Sequence, residues 1–357
     1  MLRVRRLVLA LIVPCVAIPA TAQTPKSPNA TATATARAWA PPRTADGQPD
    51  LQGVWLNNSA TPLERPKALE GKQLLTDEEV AELKKRAARL FYGTGNSDFA
   101  AGDNLFLAVL ENSELYKNPN ATGGAHEMVE RRFDNRTSLI VDPPDGKIPP
   151  LTLEGQARSA RTPTPAGAGQ RPVAGPEDLS NGLRCITYGT PRLGANNISG
   201  AGPLGYYQIL QGPGYVALTL EAIHEARIIP LDGRPHLPRN VRQWSGDSRG
   251  RWEGNTLVVD TTNFSPVSTF MGSAENLHLL ERFTRVAPDT IDYEITLNDP
   301  TTWTKPWTAV IRLKQTREKI YEYACHEGND YTMQGMLGAA RAQEKDTAGE
   351  GAKERSR

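Results

Sequence analysis

Five histidines are scattered through the 357-residue chain, and two of them sit where proton chemistry is conceivable. In Tyr323-Ala324-Cys325-His326-Glu327-Gly328-Asn329, an imidazole stands beside a carboxylate at the end of an apolar run, with Gly328 allowing a tight bend. That pairing is the minimum needed for general acid/base work, and burial would tune it toward neutral pH. His326 is therefore the first candidate acid/base, with Glu327 to orient it and Asn329 in contact with substrate. A second candidate is Leu231-Asp232-Gly233-Arg234-Pro235-His236, where Gly233 and Pro235 fix a turn. Arg234 could there orient an anion or carbonyl while His236, beside Asp232, moves a proton. The plainer alternative is a turn locked by an Asp232–Arg234 pair.

The third cluster runs from Trp244 to Gly254 and includes Asp247, Arg249, Arg251, Trp252 and Glu253. Two indoles bracketing a charged loop suit a sugar or another ring-bearing ligand, with flat apolar faces for the ring and charged groups for its hydroxyls. The alternative is that Trp244 and Trp252 plug the end of the fold. Glu281, in a later polar step of the β half, completes the substrate-binding set. Trp303 and Trp307 form either a lid or a packed turn. A metal site is conceivable if the fold gathers His224, His236 and His326, with Glu327 as a carboxylate ligand. No two of these have a ligand spacing of their own, and no cofactor is otherwise implied. His126 and His278 lie in stretches with no matching partner. P-loop, dinucleotide fingerprint, H-E-x-x-H, G-x-S-x-G elbow and paired C-x-x-C are all absent, which excludes several large enzyme classes.

The elements that must position these residues fall into two halves. Thr76 to Leu90 carries an N-cap at Thr76, Glu79 three places on, and Val80, Leu83, Ala87 and Leu90 at helical spacing, which predicts a helix. Pro49 to Trp55 reads as a short strand, and VDPPDGKIPP, from Val141 to Pro150, as turns and extended backbone. A loose linker occupies 159–180, so that 46–158 forms a mixed N-terminal segment packing on the β half. From 181 to 344 the chain reads as β: 206–210, 215–220, 226–230, 256–261, 278–285, 290–297, 309–313 and 320–324 are short segments rich in β-branched and aromatic residues. Turns are expected at Gln211-Gly212-Pro213-Gly214 and Glu253-Gly254-Asn255. An antiparallel meander curling into a barrel or half-barrel follows, a sandwich being the main rival, with a C-terminal helix at 333–344 and a tail at 345–357.

Residues 1–22 read as a cleavable export signal: Arg3, Arg5 and Arg6, then the apolar run Leu7–Ala20, then Ala20-Thr21-Ala22. Residues 23–45, rich in Thr, Ala and Pro, read as a disordered tether. Losing the signal takes 41 basic residues down to 38 against 40 acidic ones, a balance that does not favour nucleic acid, and leaves no integral membrane segment. Cys185 and Cys325 remain, and an oxidising compartment favours a bridge between them over two separate thiols. The protein is thus expected in the periplasm or outside the cell.

The strings IIPLDGRPH, GDSRGRWEGNTLVVDTTNF, LLERFTRV, DPTTWTKPWT and YEYACHEGN resemble a widespread group of exported bacterial proteins of unassigned function. PDLQGVW and VDPPDGKIPP look like N-terminal pieces of the same group. The resemblance implies export and carries no catalytic residue with it; the meander is also loosely similar to lipocalin-type barrels. The expectation drawn from the residues is an exported enzyme acting on a small organic or carbohydrate-derived substrate by hydrolysis, elimination or isomerisation. Its rivals are a non-catalytic, lipocalin-like binder of small molecules and a structural protein of the cell envelope.

Overall fold

Alternation of apolar and polar residues builds most of this molecule. The computed structural model describes residues 39–92, 103–111, 131–161, 175–176, 179–191, 205–268, 270–327, 329–331, 333–339 and 341–342. The expected signal, the tether up to residue 38, most of the linker, His126 and the tail lie outside them. Ten strands are described: β1 Gly53–Leu56, β2 Ile140–Asp142, β3 Tyr206–Gly212, β4 Tyr215–Leu220, β5 Ala226–Pro230, β6 Asp247–Glu253, β7 Thr256–Thr262, β8 His278–Ala287, β9 Thr290–Asn298 and β10 Trp307–Thr316. They form one antiparallel sheet in the order β5-β4-β3-β1-β10-β9-β8-β7-β6, with β2 paired to β10 off that path.

One face of the sheet is the core. Leu279, Glu281 and Phe283 of β8, Ile291, Tyr293, Ile295 and Leu297 of β9, and Trp307, Ala309, Ile311 and Leu313 of β10 are buried at every second position, as a half-buried strand requires. Tyr293 stacks on Phe283 with ring centroids 4.3 Å apart and meets Tyr207 edge-on at 6.2 Å. Trp303 and Trp307 pack against each other at 5.6 Å, both buried, so they form a packed turn and not a lid.

The two outer strands of the order, β5 and β6, face each other without a ladder joining them. Contact is made by side chains: Arg227 of β5 donates to Ser248 of β6 at 3.0 Å, and a Cβ placed on Gly250 would lie 2.8 Å from Ile229 and 2.6 Å from Leu231. Glycine at position 250 is what lets the strands approach. The sheet is therefore the antiparallel one expected, and among the described residues it is open, without hydrogen-bonded closure into a full barrel.

Four other expectations are revised. The N-terminal segment does not merely pack on the sheet: β1 lies in its middle, between β3 and β10, while β2 takes another stretch of β10. The linker does not begin at residue 159, because helix α3 (Leu153–Arg161) continues past it. That helix is started by the Thr152 hydroxyl, which accepts from Gly155 N at 3.0 Å, and held by Arg158, which donates to Thr302 at 2.6 Å and Gly272 O at 2.8 Å. Residues 320–324 are not a strand, and β6 is a strand where a loop was expected.

Helix α1 (Asp77–Tyr92) forms where its pattern predicts, with Thr76 and Glu79 bonding each other's backbone N–H groups in a capping box. Val80, Leu83 and Ala87 pack with Phe106 and Val109 of helix α2 (Asp103–Leu110) and with Phe133 in a second, smaller core. Residues 333–339 and 341–342 are helical, as expected of the C-terminal helix. The Cys185–Cys325 bridge is made, with Cα atoms 5.8 Å apart. In the chain-entropy picture a closed loop of this length stabilises by about 3–5 kcal/mol.

Candidate functional site

The sequence-predicted residues that come together are His236, Asp247 and Arg249, and they are joined by two that were not predicted, Asp260 and His278. Asp247 opens β6 and is nearly enclosed. One of its oxygens accepts from Leu237 N and faces His236 Nδ1, each at 2.9 Å; the other accepts from Arg249 Nη1 at 2.6 Å. His236 Nε2 lies 3.0 Å from Asp260 Oδ1, and His278 Nε2 lies 3.0 Å from Asp260 Oδ2. A carboxylate only accepts, so both contacts of His236 are hydrogen bonds when its ring holds two protons. The result is a continuous chain, Asp247–His236–Asp260–His278, running from a buried carboxylate to an imidazole whose side chain is 45% exposed.

Register explains the gathering. Asp260 pairs with Arg249 across β6–β7 and with Leu280 across β7–β8, on the face opposite Val259 and Thr261. His278 is two residues from Leu280 and so becomes a diagonal neighbour of Asp260 on that face. His236 arrives on the segment 231–246, which connects β5 to β6 and is tied down again where Asn263 donates to Leu237 O at 2.8 Å and Gln243 N bonds Asn263 O at 3.0 Å.

The electrostatics follow from this geometry. Burial pushes the Asp260 carboxyl up, but hydrogen bonds and charge from His278 and then His236 outweigh it and hold the group below its ordinary value of 3.8. The bond to Asp260 raises His278 above 6.5, against the opposing effect of partial burial and with the help of the Asp260 charge. His326 and Glu327 are both exposed, and among the described residues no hydrogen bond links their side chains. Asn329 is a fastener, donating to Leu183 O at 2.6 Å and lying 3.4 Å from Cys185 Sγ.

Other expected site residues are dispersed. Asp232 and Arg234 pair on an exposed turn, Arg234 Nε reaching both carboxylate oxygens at 2.9 and 2.7 Å, which realises the plainer alternative for that turn. Trp244 is 39% exposed ahead of β6, while Trp252 is near the strand's far end, so the two indoles do not bracket a shared loop. Glu281 is fully buried, clamped by Arg227 at 3.0 and 2.5 Å and accepting from Tyr293 Oη at 2.5 Å. His224 is exposed and belongs to a short turn, with a positive φ of 51°. The trio His224, His236 and His326 is not assembled, and among the described residues no group of three or more ligating side chains is arranged to hold a metal ion.

Two surface clefts among the described residues bear on the site. One, of about 380 Å³, is lined by Thr44, Asp46, Gln48, Gln211, Tyr215 and Trp252, among others. The other, of about 320 Å³, includes Arg132, Asp134, Arg312 and Lys314. Neither is lined by His236 or His278, whose side chains are 28% and 45% exposed. The signal that could have found it is the single acid in Thr256-Leu257-Val258-Val259-Asp260-Thr261, only partly buried between the buried Val259 and Thr261. No family model, no curated protein and no solved structure matches this chain.

Proposed function

We propose that the protein is an exported enzyme performing general acid/base chemistry on a small organic or carbohydrate-derived molecule, with His278 exchanging the proton. The single observation carrying this reading is the hydrogen-bonded chain from enclosed Asp247 to half-exposed His278. With Nε2–H directed at Asp260, the other ring nitrogen of His278 is the one left to take a proton from a substrate and return it. Asp260 orients the ring and stabilises the imidazolium. His236 and Asp247 fix Asp260 in turn, and Arg249 adds positive charge beside them for an anionic or carbonyl group. Export is supported by the arginine-led apolar leader, by the Cys185–Cys325 bridge, and by the absence, among the described residues, of a helix long and apolar enough to cross a membrane.

A second reading has its own observation. The same contacts pin segment 231–246 to the sheet, since Asp247 also accepts from Leu237 N. On that reading the cluster is a clasp. A panel of chromogenic esters, lactones and glycosides separates the two. An enzyme loses about 10²–10⁴-fold in kcat/KM with His278→Ala and, with Asp260→Asn, shows a lowered pKa on the His278 limb of its pH profile. His326→Ala changes neither. Turnover indifferent to both β7–β8 substitutions, in variants of wild-type circular dichroism, would refute the enzyme reading.

A further inference from the structure

Trp252 has a place in the fold that the carboxylate–imidazole chain does not use. It shares a face of β6 with Ser248 and Gly250, the face turned toward β5, and lines the cleft of about 380 Å³. Its indole Nε1 is shielded from solvent and has no acceptor among the described residues. Buried indole N–H groups ordinarily find one.

The walls of this cleft are three turns held against one another. The β3–β4 turn, Pro213-Gly214, carries Tyr215, whose ring folds over Gly212 so closely that a Cβ there would lie 2.4 Å from it. Turn 43–49 is closed by Thr44 N bonding Gln48 O at 2.9 Å, and Arg43 ties it to the β6–β7 hairpin by donating to Asn255 Oδ1 at 2.9 Å. Gln211 braces the base, accepting from Leu51 N at 2.7 Å and donating to Pro49 O at 3.1 Å. Such a site is formed before a ligand arrives, which limits the ordering cost of binding.

Its chemistry is specific in kind. Two aromatic rings and the apolar side chains of Val216 and Leu231 offer flat, water-poor surface, while Thr44, Asp46 and Gln48 line it with hydroxyl, carboxylate and amide. Among the described residues Asp46 is the one charged member of the lining, so an anion is disfavoured. We infer that this cleft binds a neutral polyhydroxylated ring, a saccharide unit, with Trp252 and Tyr215 against the ring and Asp46 and Gln48 on its hydroxyls. It is a separate site from the proton-exchanging cluster, which lies at the other end of β6.

The test is a heteronuclear NMR titration of the full chain with cellobiose and N-acetylglucosamine, with galacturonate and choline as controls. The Trp252 indole resonance is identified by its loss in Trp252→Phe. Neutral saccharides should shift that resonance and the amides of Gly214 and Tyr215 saturably. Asp46→Asn and Gln48→Ala should each weaken binding by about tenfold, whereas His278→Ala leaves it unchanged. No saturable shift with either saccharide, a response confined to galacturonate or choline, or shifts at Trp244 in place of Trp252 would each overturn the assignment.

Discussion

Two charged networks occupy opposite faces of the same strands, and solvent makes them different objects. On the core face Arg227, Glu281 and Tyr293 lock β5 to β8 and β9; Arg227 also donates to Ser248 and Thr261 at 3.0 and 3.1 Å. Burial alone would lower the Arg227 pKa, but the charge and hydrogen bonds of Glu281 outweigh it, with Tyr293 and Glu225 adding to them, and raise it further. On the other face His236, Asp260 and His278 use comparable distances but remain partly wet. A salt bridge sealed from water holds its protons; one that water reaches can trade them. The largest effect should come from breaking the sealed network. Glu281→Ala leaves the Arg227 charge buried without its partner and should destabilise by about 3–5 kcal/mol, read as a fall in the urea midpoint. Replacing both together, Arg227→Met with Glu281→Leu, should recover most of that loss.

The seam between β5 and β6 supports the comparison, because both networks anchor there. Arg227 crosses it on one face, and segment 231–246 leaves β5 to place His236 on the other. Gly250→Ala forces a methyl into Ile229 and Leu231, and overpacking of this kind costs about 1–3 kcal/mol. The outcome expected in hydrogen exchange is faster exchange at β5 and β6 with β8 and β9 unaffected. Uniform loss of protection over all the strands would mean that the edges are not an independent seam.

How much of this was legible follows from the same seam. Strands β7 to β10 announce themselves because every second residue meets the core, as in Tyr293-Glu294-Ile295-Thr296-Leu297. β6 did not, since Ser248 and Gly250 are small where β5 approaches and Asp247, Arg249, Arg251 and Glu253 are charged, which leaves Trp252 as the one apolar side chain in the strand. His236, Asp247 and Arg249 could be named from local polarity. Asp260 and His278 are 18 residues apart, and what joins them is the β7–β8 register, which no local window contains. His326 was overweighted for the converse reason: adjacency to Glu327 in sequence says nothing about burial, and the stretch meant to carry it on a strand end is irregular chain tied by a disulfide and Asn329.

The smallest effect is the one that distinguishes the networks most directly. His278 is raised above 6.5 by its bond to Asp260, so its contribution to stability is complete below that value and is lost as pH rises through the folded-state pKa. Asp260 is depressed below 3.8, so its contribution is complete above 3.8 and is lost as pH falls through its folded value. The stability difference between wild type and Asp260→Asn should therefore be greatest from about pH 4 to 6.5 and shrink on either side. Because both side chains are substantially exposed, its maximum should be only about 0.5–1 kcal/mol after solvent screening. The same pH series on the double variant Arg227→Met with Glu281→Leu should show no change through the interval where His278 titrates, since neither replacement titrates and the wild-type guanidinium stays charged throughout. A histidine titration curve for His278 that Asp260→Asn leaves unmoved would place the origin of its shift elsewhere and remove the distinction between a locked network and an exchanging one.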